Sequence, residues 1–173
     1  LPISSAAICS ALHLVGLAGG AAVAGCCAHM VGFAVASYRE NGVGGLASQG
    51  LGTSMLQVPN LLKKPVLWVP PVIASIVNGP IATCVFHLKM NGAAISSGMG
   101  TCGLVGPIGV ITGWLNPSED ALSQGEAALS AGALDWIGLI LVAVVIPAAV
   151  AWLVSELMRK KGLIQEGDYK LNV

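Results

Sequence analysis

The chain has 173 residues, 55% of them hydrophobic and 9% charged, with a mean hydropathy of +0.81 and no formal net charge. A water-soluble domain carries about 25% charged residues, so this chain has too little charge to solvate a surface and must face lipid over much of its area. The eight basic residues are scattered rather than striped, which leaves no electrostatic footprint for nucleic acid. The five cysteines, Cys9, Cys26, Cys27, Cys84 and Cys102, show no CxxC spacing and lie in apolar or glycine-rich sequence. They read as small membrane-core residues, so neither a metal site nor a cofactor is expected.

The chain opens at Leu1 inside hydrophobic sequence, with no basic region ahead of the first apolar run. A signal peptide of the usual pattern is not visible, and a fragment or one half of a longer protein is the expectation. The first apolar segment, residues 6–38, exceeds the ~20 residues that cross a bilayer and should be tilted or broken. The run Gly16-Leu17-Ala18-Gly19-Gly20 is the expected weak point, although Gly16 and Gly20 equally form a GxxxG pair suited to helix contact. Residues 41–62 are apolar but too rich in glycine for a straight helix. A second span begins at Lys63-Lys64-Pro65 and runs to about Phe86, with Pro70, Pro71 and Pro80 predicted to kink or divide it. Residues 92–115 repeat the glycine-rich, half-apolar character, and residues 116–128 are polar and acidic. The last span, about 129–158, stops at Arg159-Lys160-Lys161-Gly162, basic residues and then a glycine, as a helix C-terminus favours.

One phrase occurs twice. Residues 50–59 read GLGTSMLQVP and residues 98–107 read GMGTCGLVGP, with two glycines, threonine, leucine and proline in matching register and Ser54 answered by Cys102. The positive-inside rule places the two copies. Arg159 to Lys161 put the end of the last helix inside, so the acidic loop at 116–128 lies outside. Lys63 and Lys64 put the start of the second span inside, so it exits near Lys89, the one basic residue on the wrong side. Residues 92–115 then begin and end outside, and residues 41–62 begin and end inside. If residues 92–115 spanned instead, the last helix would invert. The expected fold is therefore all-α: a polytopic membrane protein with about three spanning segments, two glycine-rich re-entrant hairpins and a candidate inverted repeat. Broken segments of that kind are tolerated at membrane depth where they line a cavity, and in inverted-repeat transporters they build the solute site.

The candidate site residues follow from the hairpins. Thr53, Ser54 and Gln57 follow the first glycine pair, and Asn60 lies just beyond Pro59. Their hydroxyls and amides could bind a neutral polyhydroxyl solute, or could instead satisfy backbone groups freed by the break. Thr101 beside the second pair and Asn78 in VNGP carry the same two readings. His13 and His29 are sixteen residues apart, which puts them on different faces of one helix and argues against a joint metal site. An intramembrane histidine is nonetheless a candidate on its own. Asp135 and Trp136 suit an interfacial anchor, and Glu156 can pair with Arg159 or Lys160. No carboxylate lies deep within a span, which disfavours ion-coupled transport, and no nucleophile–base constellation marks an enzyme.

The stretch from GLGTSMLQVPNLLKKP through VNGPIATCVF to SSGMGTCGLVGPIGVITGWL, residues 50–115, resembles the membrane (IIC) domain of bacterial sugar phosphotransferase systems. It is similar to a divergent IIC-like family that includes relatives of the perfringolysin regulator. The resemblance implies a multi-pass protein of the bacterial cytoplasmic membrane, usually a homodimer, that binds and translocates a sugar between re-entrant hairpins. Phosphate would come from phosphoenolpyruvate through separate IIA and IIB partners, so IIC itself needs no phospho-histidine. On this reading residues 1–162 form a IIC-like transmembrane domain and residues 163–173 a short polar tail. One departure stands out: where many sugar-transporting IIC domains place a glutamate, this chain has Gln57, which can hydrogen-bond a hydroxyl but cannot act as a base. A membrane regulator or sensor that kept the fold and lost phosphotransfer is therefore the alternative.

Overall fold

A computed structural model describes residues 2–171, which among themselves form helices and connections with a single isolated bridge between Gly16 and Met90. A short helix, α1 (Pro2–Ala11), ends in a turn through His13, whose φ is 48°, and α2 (Gly16–Ala36) follows. The break in the first apolar segment thus falls at residues 12–15, immediately before the glycine run. Gly20 is a contact position: a Cβ there would overlap the Leu88 carbonyl oxygen, so only glycine lets that connection lie against α2.

Two further helices are long and apolar enough to cross a membrane, α5 (Pro65–Val85, 21 residues) and α9 (Ala133–Lys160, 28 residues), alongside the 21 residues of α2. The prolines shape both. In α5 the winding changes from 3₁₀ over Pro65–Trp68 to α over Val69–Pro80 and to π over Ile81–Val85. In α9 a π turn, Leu141–Val145, contains Ala143, four residues before Pro147, whose ring would crowd that carbonyl in a regular helix.

The three long helices pack on one another through small side chains. Ala28, Ala74 and Ala151, one from each helix, are fully buried together. Asn78 on α5, also fully buried, donates its amide to Ala24 O of α2 at 2.9 Å and to Val142 O of α9 at 2.8 Å. Its side chain ties the three helices at one point. The bridge between Gly16 and Met90 sets the start of α2 beside the end of α5, and Arg159 Nη2 bonds Ala36 O at 3.0 Å. So α2 and α9 run parallel, with α5 antiparallel to both.

This arrangement sorts the charges. At one end lie the Arg159–Glu40 pair (2.9 Å), the Arg39–Glu156 pair (2.9 Å) and the Lys64–Asp168 pair (2.6 Å), with Lys63, Lys160 and Lys161 close by in sequence. Glu156 pairs across helices with Arg39 rather than along its own helix. At the other end His13 meets Asp120 at 2.7 Å and Lys89 meets Glu126 at 2.8 Å. The basic residue that broke the charge rule is therefore neutralised by the acidic loop. Trp136 at the start of α9 packs edge-on against Trp114, ring centroids 5.2 Å apart, and Asp135 caps that start by accepting from Gly132 N at 2.8 Å.

The segments between the long helices each return to where they begin. The first comprises α3 (Tyr38–Ala47), kinked at Gly42, a π turn at Ser48–Gly52, a 3₁₀ turn at Ser54–Gln57 and α4 (Val58–Lys63). Asn41 and Asn60, near its two ends, both reach the same stretch of chain, bonding Tyr169 O at 2.8 Å and Lys170 O at 3.0 Å. The second comprises α6 (Ala94–Ser97), a turn, and α7 (Val105–Leu115), followed by α8 (Glu119–Ser123). Ser118 closes it, donating its N–H to Asn91 O and its hydroxyl to Gly92 O, both at 2.8 Å. With 11 residues, α7 rises about 16 Å, well short of the ~30 Å hydrocarbon core.

Residues 163–171 pack back against the helices; the last two residues of the 163–173 stretch lie outside the described residues. Ile164 and Tyr169 are buried in a cluster with Phe33, Leu61, Leu67 and Met158, and the Tyr169 hydroxyl donates to Leu67 O at 2.7 Å.

Candidate functional site

The two copies of the glycine-rich phrase meet. Thr101 Oγ1 of the second copy donates to Gly50 O of the first at 2.5 Å. The residue before each copy anchors it to an opposite end of α2. Gln49, fully buried, donates its amide to Ser37 Oγ at 2.7 Å, just past the C-terminus of α2. Ser97, also fully buried, donates to Leu14 O at 2.7 Å, just ahead of its N-terminus. The first segment therefore starts from the basic end and the second from the acidic end, and they touch partway along α2.

Beside that contact lies a cavity of about 470 Å³. This falls within the ~300–1,000 Å³ range of small-molecule sites. One face of α2 forms its floor with Cys26, His29 and Phe33. Ser54 and Val58 come from the first copy, Gly98 and Met99 from the second, Leu61 from α4, Trp68 from α5 and Ser5 from α1. The walls are mainly apolar, with a few polar groups set into them. Ser5 Oγ donates to Gly98 O at 2.6 Å and so is partly committed to the second copy. The Ser54 hydroxyl and the His29 ring nitrogens have no hydrogen-bond partner among the described residues. Both side chains are half-buried, and the His29 ring tilts against Phe33 with centroids 6.3 Å apart. Two polar groups thus line this half-open space and remain available to a ligand.

Of the six residues singled out from sequence, Ser54 alone lines the cavity. Thr53 Oγ1 accepts from Met55 N at 3.2 Å and caps the 3₁₀ turn that carries Ser54. Gln57, fully buried, donates to Tyr169 O at 3.0 Å and accepts from Asn60 Nδ2 at 2.9 Å. Asn60 also reaches Lys170 O, Asn78 ties the three long helices, and Thr101 joins the two copies. His29 carried one readable signal, an ionisable side chain in an apolar segment. Trp68 and Ser5 carried none, because only the fold brings them to the cavity. Among the described residues no group of three histidine, cysteine or acidic side chains could hold a metal.

The C-terminal stretch grips the base of the first segment. Burial pushes the Tyr169 phenol up from its ordinary range. Burial also works to raise the Asp168 carboxyl, but the Lys64 ammonium and the Gln165 N–H outweigh it and hold the group below the usual carboxylate value.

The family model described as "Phosphotransferase system, EIIC" matches residues 1–171. The chain belongs to the phosphotransferase system EIIC family. It is thus a membrane component of a sugar phosphotransferase system, in keeping with three helices long and apolar enough to cross a bilayer. No curated protein and no solved structure matches it. The cavity's walls are mainly apolar and aromatic, and His29 and Ser54 bring hydrogen-bonding groups to it.

Proposed function

We propose that this chain is the sugar-binding and translocating component of its phosphotransferase system, and that the cavity between α2 and the two glycine-rich copies holds the solute. Ser54 and His29 hydrogen-bond the sugar hydroxyls, and Trp68 and Phe33 cover its apolar faces. Thr53, Gln57, Asn60, Asn78 and Thr101 hold the surrounding elements in place. The two segments are re-entrant hairpins of an inverted repeat, entering from opposite membrane faces. The protein works as a multi-pass homodimer in the bacterial cytoplasmic membrane, and separate IIA and IIB proteins supply the phosphate. The observation that supports this most is one cavity that both copies line and that carries two polar groups with no hydrogen-bond partner among the described residues. The test is uptake and binding of a panel of radiolabelled sugars by membrane vesicles, with and without a IIB partner. One sugar is expected to bind, and Ser54→Ala and His29→Ala should each weaken it roughly three- to tenfold. No uptake and no binding by any sugar would sink the reading.

A second reading is favoured by one specific observation. Among the described residues no carboxylate lines the cavity, and Gln57 is committed to Tyr169 and Asn60. A membrane sensor that binds sugar without passing it on for phosphorylation fits that chemistry. Binding without uptake in the same vesicles would select it.

A further inference from the structure

The cavity's wall toward the basic end rests on the C-terminal stretch. Phe33 and Leu61 line the cavity and belong to the same buried cluster as Ile164 and Tyr169. Tyr169 is fully buried and its hydroxyl is fixed to Leu67 O. Its carbonyl accepts from two amides, Asn41 at 2.8 Å where the first segment leaves the bundle and Gln57 at 3.0 Å where the glycine-rich copy ends. Leu171 N returns to Asn41 Oδ1 at 2.9 Å, and Asp168 pairs with Lys64 at 2.6 Å. Arg159, at the end of α9, sits with its guanidinium carbon 5.9 Å from the Tyr169 ring centroid. All of these partners lie at the basic end, and none belongs to the second copy.

We propose that residues 163–171 are a strap that closes the cavity on the basic, cytoplasmic side and holds the first glycine-rich copy in the position from which Ser54 reaches the cavity. Gln57 is on this account a positioning residue: its amide grips the strap. When the strap lifts, the Tyr169 and Ile164 side chains leave the cluster beneath Phe33 and Leu61, and the cavity opens inward. The second copy, bound to α1 and to Leu14, stays where it is. The proposal rests on the cavity being the solute site, yet the strap's effect can be read without any solute.

The experiment uses the full chain in oriented membrane vesicles with Cys26 as the reporter, since it lines the cavity. Cys9, Cys27, Cys84 and Cys102 are changed to alanine, and Cys26 is alkylated by a membrane-impermeant maleimide from either side. Tyr169→Ala is expected to raise the labelling rate from the cytoplasmic side roughly ten- to hundredfold, through loss of a buried ring and loosening of the bonds around it. If that variant does not assemble, Asn41→Ala combined with Gln57→Ala removes both donors to the Tyr169 carbonyl and leaves the apolar cluster intact; about a tenfold rise is expected. An unchanged cytoplasmic rate in the assembled variants, or a rise confined to the opposite side, overturns the strap. The solute reading fails separately, by an absence of sugar binding in the otherwise unmodified protein.

Discussion

In the second glycine-rich copy a Cβ on Gly98 would run into the Ser5 backbone, and one on Gly100, whose φ is +56°, would stand 2.7 Å from the Cys26 carbonyl carbon. In the first copy a Cβ on Gly50 would meet the Ala34 Cβ at an ordinary 3.5 Å, and one on Gly52 would meet nothing within 4 Å. The same letters thus do different work. The second copy uses its glycines to bring backbone against α1 and α2, so it is packed as part of the bundle. The first copy has room around its glycines and is held by polar side chains at its base, Gln49, Gln57 and Asn60. What it presents to the cavity is Ser54, where the second copy has Cys102. Both copies pass through a 3₁₀ turn into an α-helix, but Thr53 is extended (φ −152°, ψ 135°) where Thr101 is not (φ −82°, ψ 2°), and the neighbours decide which copy is packed as scaffold and which has room.

Substitution at matched positions can break this comparison. The largest effect should come from Gly100→Ala. It places a side chain in left-handed backbone and against Cys26, and should cost about 3 kcal/mol or more in thermal unfolding of the detergent-solubilised protein. Gly52→Ala, its counterpart, should change stability by less than about 1 kcal/mol, in either direction. Equal losses at the two positions would erase the distinction.

The threonines come next. Thr101→Val removes the buried hydroxyl that joins the copies and should cost about 1–2 kcal/mol. Thr53→Val loses only the cap of a short 3₁₀ turn, worth about 0.5–1 kcal/mol. At the following position Ser54→Ala should weaken sugar binding several-fold, while Cys102→Ala leaves it unchanged, as measured by equilibrium binding.

The smallest effect concerns acid. The folded-state pKa of Asp168 lies below its unfolded value, so the Lys64 pair stabilises the strap at and above ordinary pH. That contribution fades as pH falls below about 4 and through the depressed pKa. The pair is part-exposed, so the change should be well under ~1 kcal/mol. The thiolate is the species alkylated, and it vanishes in acid. The effect is therefore read as the Cys26 labelling rate of the unmodified protein relative to Asp168→Asn at each pH. That ratio should lie below one near neutral pH and approach one in acid.

Much of this architecture is legible in the sequence because it follows from local rules. Three long apolar runs give three long helices, the prolines change the winding of two of them, and the clusters at Arg39, Lys63 and Arg159 share one end. Lys89 violates the charge rule on paper and is explained only by Glu126, 37 residues away. The cavity is less legible. Ser54 could be found from the repeat and His29 from its unusual setting, but Trp68 and Ser5 arrive by tertiary packing alone. The strap was hidden most completely. From sequence this stretch reads as a short polar tail, yet Ile164 and Tyr169 are buried, and Tyr169 meets Leu67 across 102 residues of chain. Gln57 illustrates the same limit, since its amide suits a sugar as well as it suits the carbonyl it holds.

The most direct test of the central claim, that both copies enclose the solute site, is protection of Cys26 from alkylation by bound sugar, with Cys84 on the exposed face of α5 as an internal control. The sugar that binds should slow labelling of Cys26 in proportion to its occupancy and leave Cys84 unaffected. A sugar that binds at saturation while Cys26 is labelled at its unliganded rate would place the solute elsewhere and contradict the account.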